Sequence, residues 1–134
     1  MAITPYLLYE DVDRALKFLA KAFGFRKCGL QMRGPDGKTN HAAMQLGRDI
    51  FMMGRPGSKY RNPKRLGQAT VLLYVNVKDA DKHFARAKKA GATILEEPAD
   101  THYGHRRYSA EDPEGHQWYF AHDIRRSRPK HKTK

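Results

Sequence analysis

The stretch YLLYEDVDRALKFLAKAFGF, residues 6–25, determines the fold, because a weaker copy of it, VLLYVNVKDADKHFARAKKAGA, occupies residues 71–92. Each copy has an apolar segment typical of a strand, an acidic residue that can cap a helix, and an amphipathic helix that ends at glycine. In the first copy, Asp11 caps a predicted helix from about Val12 to Phe23, and Gly24 supplies the left-handed residue that follows it. The apolar positions of this helix share one face: Ala15, Leu16, Leu19, Ala22 and Phe23.

The second copy predicts an equivalent helix after Asp79, which Gly91 would terminate. Its inner stripe would be Phe84, Ala87 and Ala90. Strand-like segments separated by turn-forming residues follow each helix. They are Arg26–Arg33, His41–Leu46 and Asp49–Met53 in the first half, and Thr93–Glu96, Arg107–Ala110 and Gln117–His122 in the second.

The order of elements is therefore βαβββ twice, which predicts one α+β domain, about residues 1–124, made of two modules. Module one covers about residues 1–54, a linker rich in glycine, proline and basic residues covers about 55–68, and module two covers about 69–124. Each short sheet would carry a helix on one face and leave the other concave. Two such sheets placed edge to edge would form a curved mixed sheet around a cleft, where we expect function to lie.

The net charge of +12 is divided equally between the predicted domain and the last ten residues. Residues 125–134, RRSRPKHKTK, are polar and basic without periodicity, so we expect a disordered tail. Such a tail can contact nucleic acid nonspecifically, with strong salt dependence. A solvated tail that aids solubility is the simpler interpretation.

The composition predicts a cytoplasmic protein without a membrane span. No apolar run approaches the roughly eighteen residues that a spanning helix needs. The first residues show no basic region before an apolar core, as a secretory signal would. The single cysteine, Cys28, cannot form an internal disulfide, which is consistent with a reducing compartment.

Four segments in order, ITPYLLYEDVDRALKFLAKAFGF, TNHAAMQLGRDIFMM, YVNVKDADKHFARAKKAGATILEEP and THYGHRRYSAEDPEGHQWYFAHDI, cover most of residues 3–124. Together they resemble the vicinal oxygen chelate superfamily, which includes glyoxalase I, bleomycin-resistance proteins and extradiol dioxygenases. The chain is most similar to the glyoxalase/bleomycin-resistance branch, whose members commonly carry a Tyr-Gly-x-Arg-like loop before the last hairpin. Here that loop is Tyr103-Gly104-His105-Arg106. The resemblance implies a homodimer.

The resemblance also implies metal ligands on the first and last strands of each module, and this chain departs from that pattern. The four positions fall near Thr4, within Phe51–Met53, near Leu72 and at Tyr119, and none of them is His or Glu. Leucine and methionine do not coordinate a hard divalent ion. We therefore expect no metal site and no cofactor, and we assign no glyoxalase activity.

A relocated metal site among the seven histidines is the alternative. His102 and His105, with a carboxylate such as Asp100, could form a loop site, although this spacing is not diagnostic. His116 and His122 share one strand face about 20 Å apart, so they cannot share an ion.

Alternation along the strands predicts the side chains that line the cleft. They form an apolar and aromatic surface with a few hydroxyl and amide groups, which is typical of small-molecule sites. Interdigitation of the same side chains as core is the competing interpretation. The candidate ligand-binding residues are Tyr6, His41, Met52, Leu72, Tyr74, Tyr103, Arg106, Gln117 and Tyr119.

The pair Arg106-Arg107 predicts the charge of the ligand. Neighbouring residues on a strand point to opposite faces, so one guanidinium can reach the cleft beside Tyr103 and bind a carboxylate, a phosphate or a planar aromatic group. Pairing of both arginines with Glu96 or Asp112 is the simpler alternative. The basic body of the domain disfavours a cationic drug.

These observations favour metal-independent binding of a small neutral or anionic aromatic compound, in a sequestration or resistance role. The alternative is an enzyme of lyase, isomerase or dioxygenase type. It would use either a relocated metal or acid–base chemistry by Tyr119, Tyr103 or His41. A nucleic-acid-binding module rests on charge alone, because no recognised motif accompanies the basic residues.

Overall fold

The computed structural model describes residues 1–125, which form two four-stranded mixed sheets with three helices. The strand orders are β1-β4-β3-β2 and β5-β8-β7-β6. The predicted α+β class and the repeated βαβββ order are confirmed. The elements are β1 (Tyr6–Leu8), α1 (Val12–Phe23), β2 (Arg26–Arg33), β3 (Thr39–Leu46), β4 (Asp49–Gly54), α2 (Pro63–Leu66), β5 (Leu72–Asn76), α3 (Ala80–Lys89), β6 (Thr93–Asp100), β7 (His105–Glu111) and β8 (Gln117–Asp123).

The predicted basic tail, residues 125–134, lies outside the described residues except for Arg125, whose backbone N–H donates to Asp123 at 2.8 Å. Within residues 1–125, no helix has the length and apolar character that crossing a membrane would require.

Helix α1 has the caps and the buried stripe that its sequence predicts. The Asp11 carboxylate accepts a hydrogen bond from the backbone N–H of Arg14 at 3.0 Å, and Gly24 adopts φ 80° at the other end. The five apolar residues of the predicted face are buried, together with Val12. Helix α3 is capped in the same way by Asp79, and Gly91 after it has φ 94°.

The linker contains a helical turn that the sequence analysis did not predict. Asn62 accepts a hydrogen bond from the backbone N–H of Arg65 at 2.9 Å, and Pro63 occupies the first helical position. The turn contacts the β7–β8 hairpin, because the backbone N–H of Lys64 donates to the carbonyl of Glu114 at 3.0 Å.

Alternation separates the two faces of each sheet. In β4, Phe51 and Met53 are buried on the side of the helices, whereas Met52 lies on the other side. In β8, Trp118 and Phe120 are buried on the helical side, and Tyr119 lies on the other side. The paired residues of neighbouring strands share these faces.

The helix-bearing sides of both sheets share one aromatic core. The Phe23 ring at the end of α1 lies 4.7 Å from that of Phe120, between ring centres. Phe25 and Phe51 of module one lie 5.3 and 5.4 Å from Trp118 of module two. Burial of these rings joins the two modules into one structural unit.

Because the helical sides are joined, the two opposite faces of the sheets are turned outward. Tyr6 on β1 is 50% exposed and Tyr74 on β5 is 39% exposed. No strand pairing joins the two sheets within residues 1–125. Within one chain the two sheets are not closed on each other, and each module presents its own open face.

The turn Asp112-Pro113-Glu114-Gly115 connects module two to the start of α1 through Glu114. This carboxylate is only 3% exposed. It accepts hydrogen bonds from the backbone N–H groups of Glu10 and Asp11 at 2.6 and 2.8 Å, and from the side-chain amide of Asn62 at 3.0 Å. A negative charge at this position also interacts favourably with the positive end of the α1 dipole.

Asp112 is buried in the same turn and accepts hydrogen bonds from two aromatic side chains. Its Oδ2 accepts from the hydroxyl of Tyr9 at 2.6 Å and from Nε1 of Trp118 at 3.3 Å. Its Oδ1 accepts from the backbone N–H groups of Glu114 and His116 at 3.0 and 3.1 Å. Burial, followed by the charge of Asp112, raises the pKa of Tyr9 well above its ordinary value. The phenol therefore remains the proton donor at all ordinary pH values.

His83 connects α3 to the end of α1 as a neutral imidazole. Its Nε2 lies 2.9 Å from the backbone carbonyl of Phe23, so this nitrogen donates. Its Nδ1 accepts from the hydroxyl of Tyr108, and its ring stacks on Phe120 at 4.1 Å. Burial, which is the largest cause, lowers the pKa of His83 below its ordinary value.

The lowered pKa predicts a loss of stability in mild acid. The folded state binds the His83 proton less readily than the unfolded chain does. The stabilisation that neutral His83 gives the folded state is therefore complete above the pKa of histidine in the unfolded chain, about 6.5. It is lost as the pH falls toward the lower pKa of His83 in the folded state. We expect the free energy of unfolding to fall between pH 7 and pH 5 more steeply in the native protein than in His83→Gln, as measured by urea denaturation. Equal slopes for the two proteins would contradict this role.

Candidate functional site

Most of the candidate binding residues lie together on the outward side of the second sheet, which we call the module-two face. Leu72 and Tyr74 of β5 lie opposite Gln117 and Tyr119 of β8. Arg107 of β7 lies opposite Ala121, next along the same face. The module-two face consists of Leu72, Tyr74, Tyr103, His105, Arg107, Ser109, Gln117 and Tyr119.

Arg107 lies against two tyrosines at the centre of this face. Its Cζ is 4.3 Å from the ring centre of Tyr119 and 5.9 Å from that of Tyr103. Its Nη1 donates a hydrogen bond to the hydroxyl of Tyr103 at 2.9 Å. A guanidinium over a tyrosine ring is a cation–π contact that fixes the group without neutralising its charge.

Tyr74 links this cluster to His105. Its hydroxyl lies 2.8 Å from Nδ1 of His105 and 3.3 Å from the hydroxyl of Tyr103. Burial, followed by the hydrogen bond with Tyr103, raises the pKa of Tyr74 to about 12. The phenol is therefore protonated at neutral pH. In one consistent arrangement Arg107 donates to Tyr103, Tyr103 to Tyr74, and Tyr74 to His105.

Tyr119 is also held as a neutral phenol. Burial raises its pKa, and a hydrogen bond with the carboxylate of Glu96 adds to the effect. The face thus offers phenol hydroxyls, aromatic rings and one guanidinium to a partner. It does not offer a phenolate that could serve as a base at neutral pH.

The outward side of the first sheet, the module-one face, carries the three other candidates that the structure brings together: Tyr6, His41 and Met52. The Tyr6 hydroxyl lies 3.0 Å from Nδ1 of His41, and Met52 is the register partner of Tyr6. Tyr6 and Tyr74 are equivalent in the repeat, because each precedes its helix cap by five residues (11 − 6 and 79 − 74). Each module therefore presents a tyrosine that contacts a histidine.

Arg106 is the candidate that the structure places elsewhere. Its guanidinium lies on the helical side of the sheet, where it pairs with Asp81 at 2.9 Å and with Asp100 at 3.0 Å. Of the two neighbouring arginines, the one on the module-two face is Arg107. The signal was present in the sequence, because the tight turn at 112–115 pairs Glu111 with Gln117 and so places odd-numbered residues of both strands on one face.

The sequence suggests His105 only as a metal ligand and does not predict its contact with Tyr74. Its partner is set by the register of strands that are distant in sequence, which a local pattern does not reveal.

The positions implied for a metal carry no ligand set. Tyr119 faces Tyr74 across the β5–β8 pair, and Met52 faces Tyr6 across the β1–β4 pair. Within residues 1–125, no three His, Cys, Asp or Glu side chains are grouped closely enough to hold an ion. The expected absence of a metal remains a prediction that metal analysis must test.

A groove of about 480 Å³ lies between the segment that precedes β1 and the edge strand β5. Its apolar lining includes Phe25, Phe51 and Trp118, and its sides include residues 2–5 and Leu73–Asn76. Because β5 pairs on one side only, it borders the groove with an unpaired edge.

The sequence that forms these two βαβββ units matches a known family. The Glyoxalase/Bleomycin resistance protein/Dioxygenase superfamily matches residues 3–120. The chain belongs to this family. Among solved structures, TioX from Micromonospora sp. ML1 is 35% identical with a TM-score of 0.74, over 92% of this chain and 99% of TioX. A glyoxalase-related enzyme from Clostridium phytofermentans has a TM-score of 0.72 at 14% identity, over 92% and 95% of the two chains, which shows the fold alone.

Curated relatives of this family member include an uncharacterized protein from Mycobacterium bovis. It is 34% identical over 129 residues, which is 92% of this chain and 84% of the relative. An uncharacterized protein from Mycobacterium tuberculosis is also 34% identical, over 75% of its length. Each of the two alignments spans 92% of this chain.

Proposed function

We propose that this protein binds a small neutral or anionic aromatic compound without a metal ion, in a sequestration or resistance role in the cytoplasm. Membership of a family that includes bleomycin-resistance proteins supports the class of function. The lack of a grouped ligand set within residues 1–125 supports binding without a metal.

One observation carries the proposal: the module-two face leaves aromatic side chains open beside a cation. Tyr74 and Tyr103 are each 39% exposed, Tyr103 accepts a hydrogen bond from Arg107, and Gln117 lies opposite Leu72 on the same face. Exposed apolar surface that contains a few directed polar groups is characteristic of ligand sites.

A homodimer is part of the proposal. Exposed side chains on both outward faces, together with the unpaired edges of β1 and β5, give a second copy a surface to cover. The module-one face of one chain beside the module-two face of its partner would complete the cleft that a single chain leaves open. Sedimentation equilibrium should give about twice the chain mass of 15.4 kDa. A single-chain mass at micromolar concentration would contradict the dimer.

The binding proposal is tested with untagged protein, because histidine tags bind metals. We expect negligible divalent metal by elemental analysis and no change in melting temperature with a chelator. Planar aromatic compounds should raise the melting temperature, since a ligand that binds only the folded state stabilises it. Stoichiometric metal whose removal abolishes binding would overturn the metal-independent proposal.

Acid–base catalysis is the second candidate, because a tyrosine hydroxyl contacts a histidine on each face. The contact between Tyr74 and His105 is the shorter of the two, at 2.8 Å. Mass spectrometry of the bound compound after incubation separates the two candidates. Unchanged compound supports sequestration. Conversion that His105→Asn abolishes, while binding persists, supports an enzyme.

A further inference from the structure

Arg107 has no carboxylate partner, unlike its neighbour in the sequence. Arg106 forms ion pairs with both Asp81 and Asp100. None of the ion pairs within residues 1–125 includes Arg107. Glu96 acts on Arg107 only through space, so the half-buried guanidinium keeps N–H donors that an anion in direct contact can use, and such a pairing is stronger there than at an exposed site.

The contacts of Arg107 orient its guanidinium toward the open side of the sheet. The Tyr119 ring, 4.3 Å from Cζ, supports one side of the group. The hydroxyl of Tyr103 accepts from Nη1, and the guanidinium also interacts with the hydroxyl of Tyr74. A guanidinium has five N–H donors in a planar fork that matches the two oxygens of a carboxylate. The aromatic support therefore presents this fork with little loss of side-chain entropy on binding.

The surroundings of Arg107 suit the ring of an aromatic acid. Tyr74 and Tyr103 are neighbours whose hydroxyls lie 3.3 Å apart, and Leu72 precedes them along the β5 side of the face. Their partly exposed side chains offer apolar surface within reach of the cation. A flat ring can lie against them by offset or edge contacts.

The charges around Arg107 favour a ligand that carries no more than one anionic group. Glu96 acts on Arg107 from β6, and His105 belongs to the same face. The Arg106 charge lies on the other side of the sheet and is neutralised by two carboxylates. A second anionic group on the ligand would therefore approach Glu96 without a second cation to receive it.

We propose that the module-two face binds a planar aromatic monocarboxylate, with the carboxylate on the Arg107 fork and the ring against Tyr74 and Tyr103. This inference rests on the proposed function, which it narrows from neutral or anionic aromatic compounds to aromatic acids.

Calorimetric titration of the full-length protein with two probes of the same shape tests the inference. The probes are 2-naphthoate and 2-naphthamide, which differ in charge but present the same ring. In 150 mM salt we expect naphthoate to bind about tenfold or more tightly than naphthamide, because charge-assisted bidentate hydrogen bonds are about twice as strong as neutral ones.

Two variants one residue apart provide the matched comparison. Arg107→Gln should remove the preference for naphthoate, whereas Arg106→Gln, which makes the same charge change on the opposite side, should keep it. Arg107→Lys keeps the charge but loses the fork, so the preference should fall severalfold without vanishing. The lysine variant also provides the test if Arg107→Gln does not fold.

The possible results distinguish a failure of the aromatic-acid inference from a failure of the proposed function. Equal binding of the two probes by the native protein would overturn the inference and leave aromatic binding intact. A preference that Arg106→Gln reduces as much as Arg107→Gln would overturn it in favour of a general positive field. Failure of both probes to bind would overturn the inference and count against the proposed function.

Discussion

Replacing Gly115 by alanine is expected to lower the free energy of unfolding by about 3 kcal/mol, as the sum of backbone strain and a steric clash. Gly115 has φ +92°, which side chains rarely adopt. A Cβ at this position would lie 2.5 Å from the backbone nitrogen of Lys64 and 2.9 Å from its Cα. Backbone atoms cannot rotate away as a side chain can, so the linker turn must move and its hydrogen bond to Glu114 must weaken.

Gly37→Ala is the matched control for Gly115→Ala. Gly37 has a similar φ of +81°, but nothing lies within 4 Å of its hypothetical Cβ. Its substitution should cost only about 1 kcal/mol, from backbone strain alone. Urea denaturation at pH 7 measures both variants. Losses of equal size would show that the contact between the hairpin and the linker turn contributes nothing.

Glu114→Gln is expected to destabilise the fold by about 2–3 kcal/mol, although the side chain keeps its size. Both carboxylate oxygens face N–H donors, from Glu10, Asp11 and Asn62. An amide NH₂ in place of one oxygen would point a donor at a donor in a buried site. The substitution also removes the negative charge near the start of α1.

The exposed glutamate Glu97 supplies the control for this second prediction. It lies on β6, and Glu97→Gln should change the free energy of unfolding by less than about 0.5 kcal/mol. If the two glutamine variants unfold at the same urea concentration, the Glu114 carboxylate does not hold the start of α1.

Helices α1 and α3 could be predicted because their signals are local. The Asp11 and Asp79 caps, the glycines that follow each helix and the 3.6-residue spacing all depend on residues within a few turns. The β7–β8 hairpin is local too, and its turn residues give the strand positions. The ends of strands are harder to predict, because pairing with a neighbouring strand decides where a strand ends. Strand β6 continues to Asp100, four residues beyond its predicted end at Glu96.

The orientation of the two sheets could not be predicted in the same way. Phe51 and Trp118 meet across 67 residues of sequence (118 − 51), and nothing in either strand specifies the other as its partner. The alternation of β4 and β8 shows that each strand has a buried side and a more open side. It does not show whether the open sides of the two modules face each other within one chain or turn outward. That choice depends on packing between distant segments.

The candidate site was predictable in composition but less so in detail. Tyr6, Tyr74, Tyr103, Gln117 and Tyr119 lie on the outward faces. The choice of Arg106 over Arg107 followed the family-like loop. Counting pairs from the turn at 112–115 would instead have placed Arg107 opposite Ala121, on the face with Tyr119. The register of a tight hairpin is thus a better guide to side-chain direction than proximity to a motif.

Because the two modules share one aromatic core, we expect neither to fold on its own, even though one resembles a copy of the other. Phe23 and Phe25 from the first half are buried against Trp118 and Phe120 from the second. A chain cut within the linker would expose these rings on both fragments. We therefore expect the two halves to unfold together, and the core of a newly synthesised first half to be completed only after the last strand has been made.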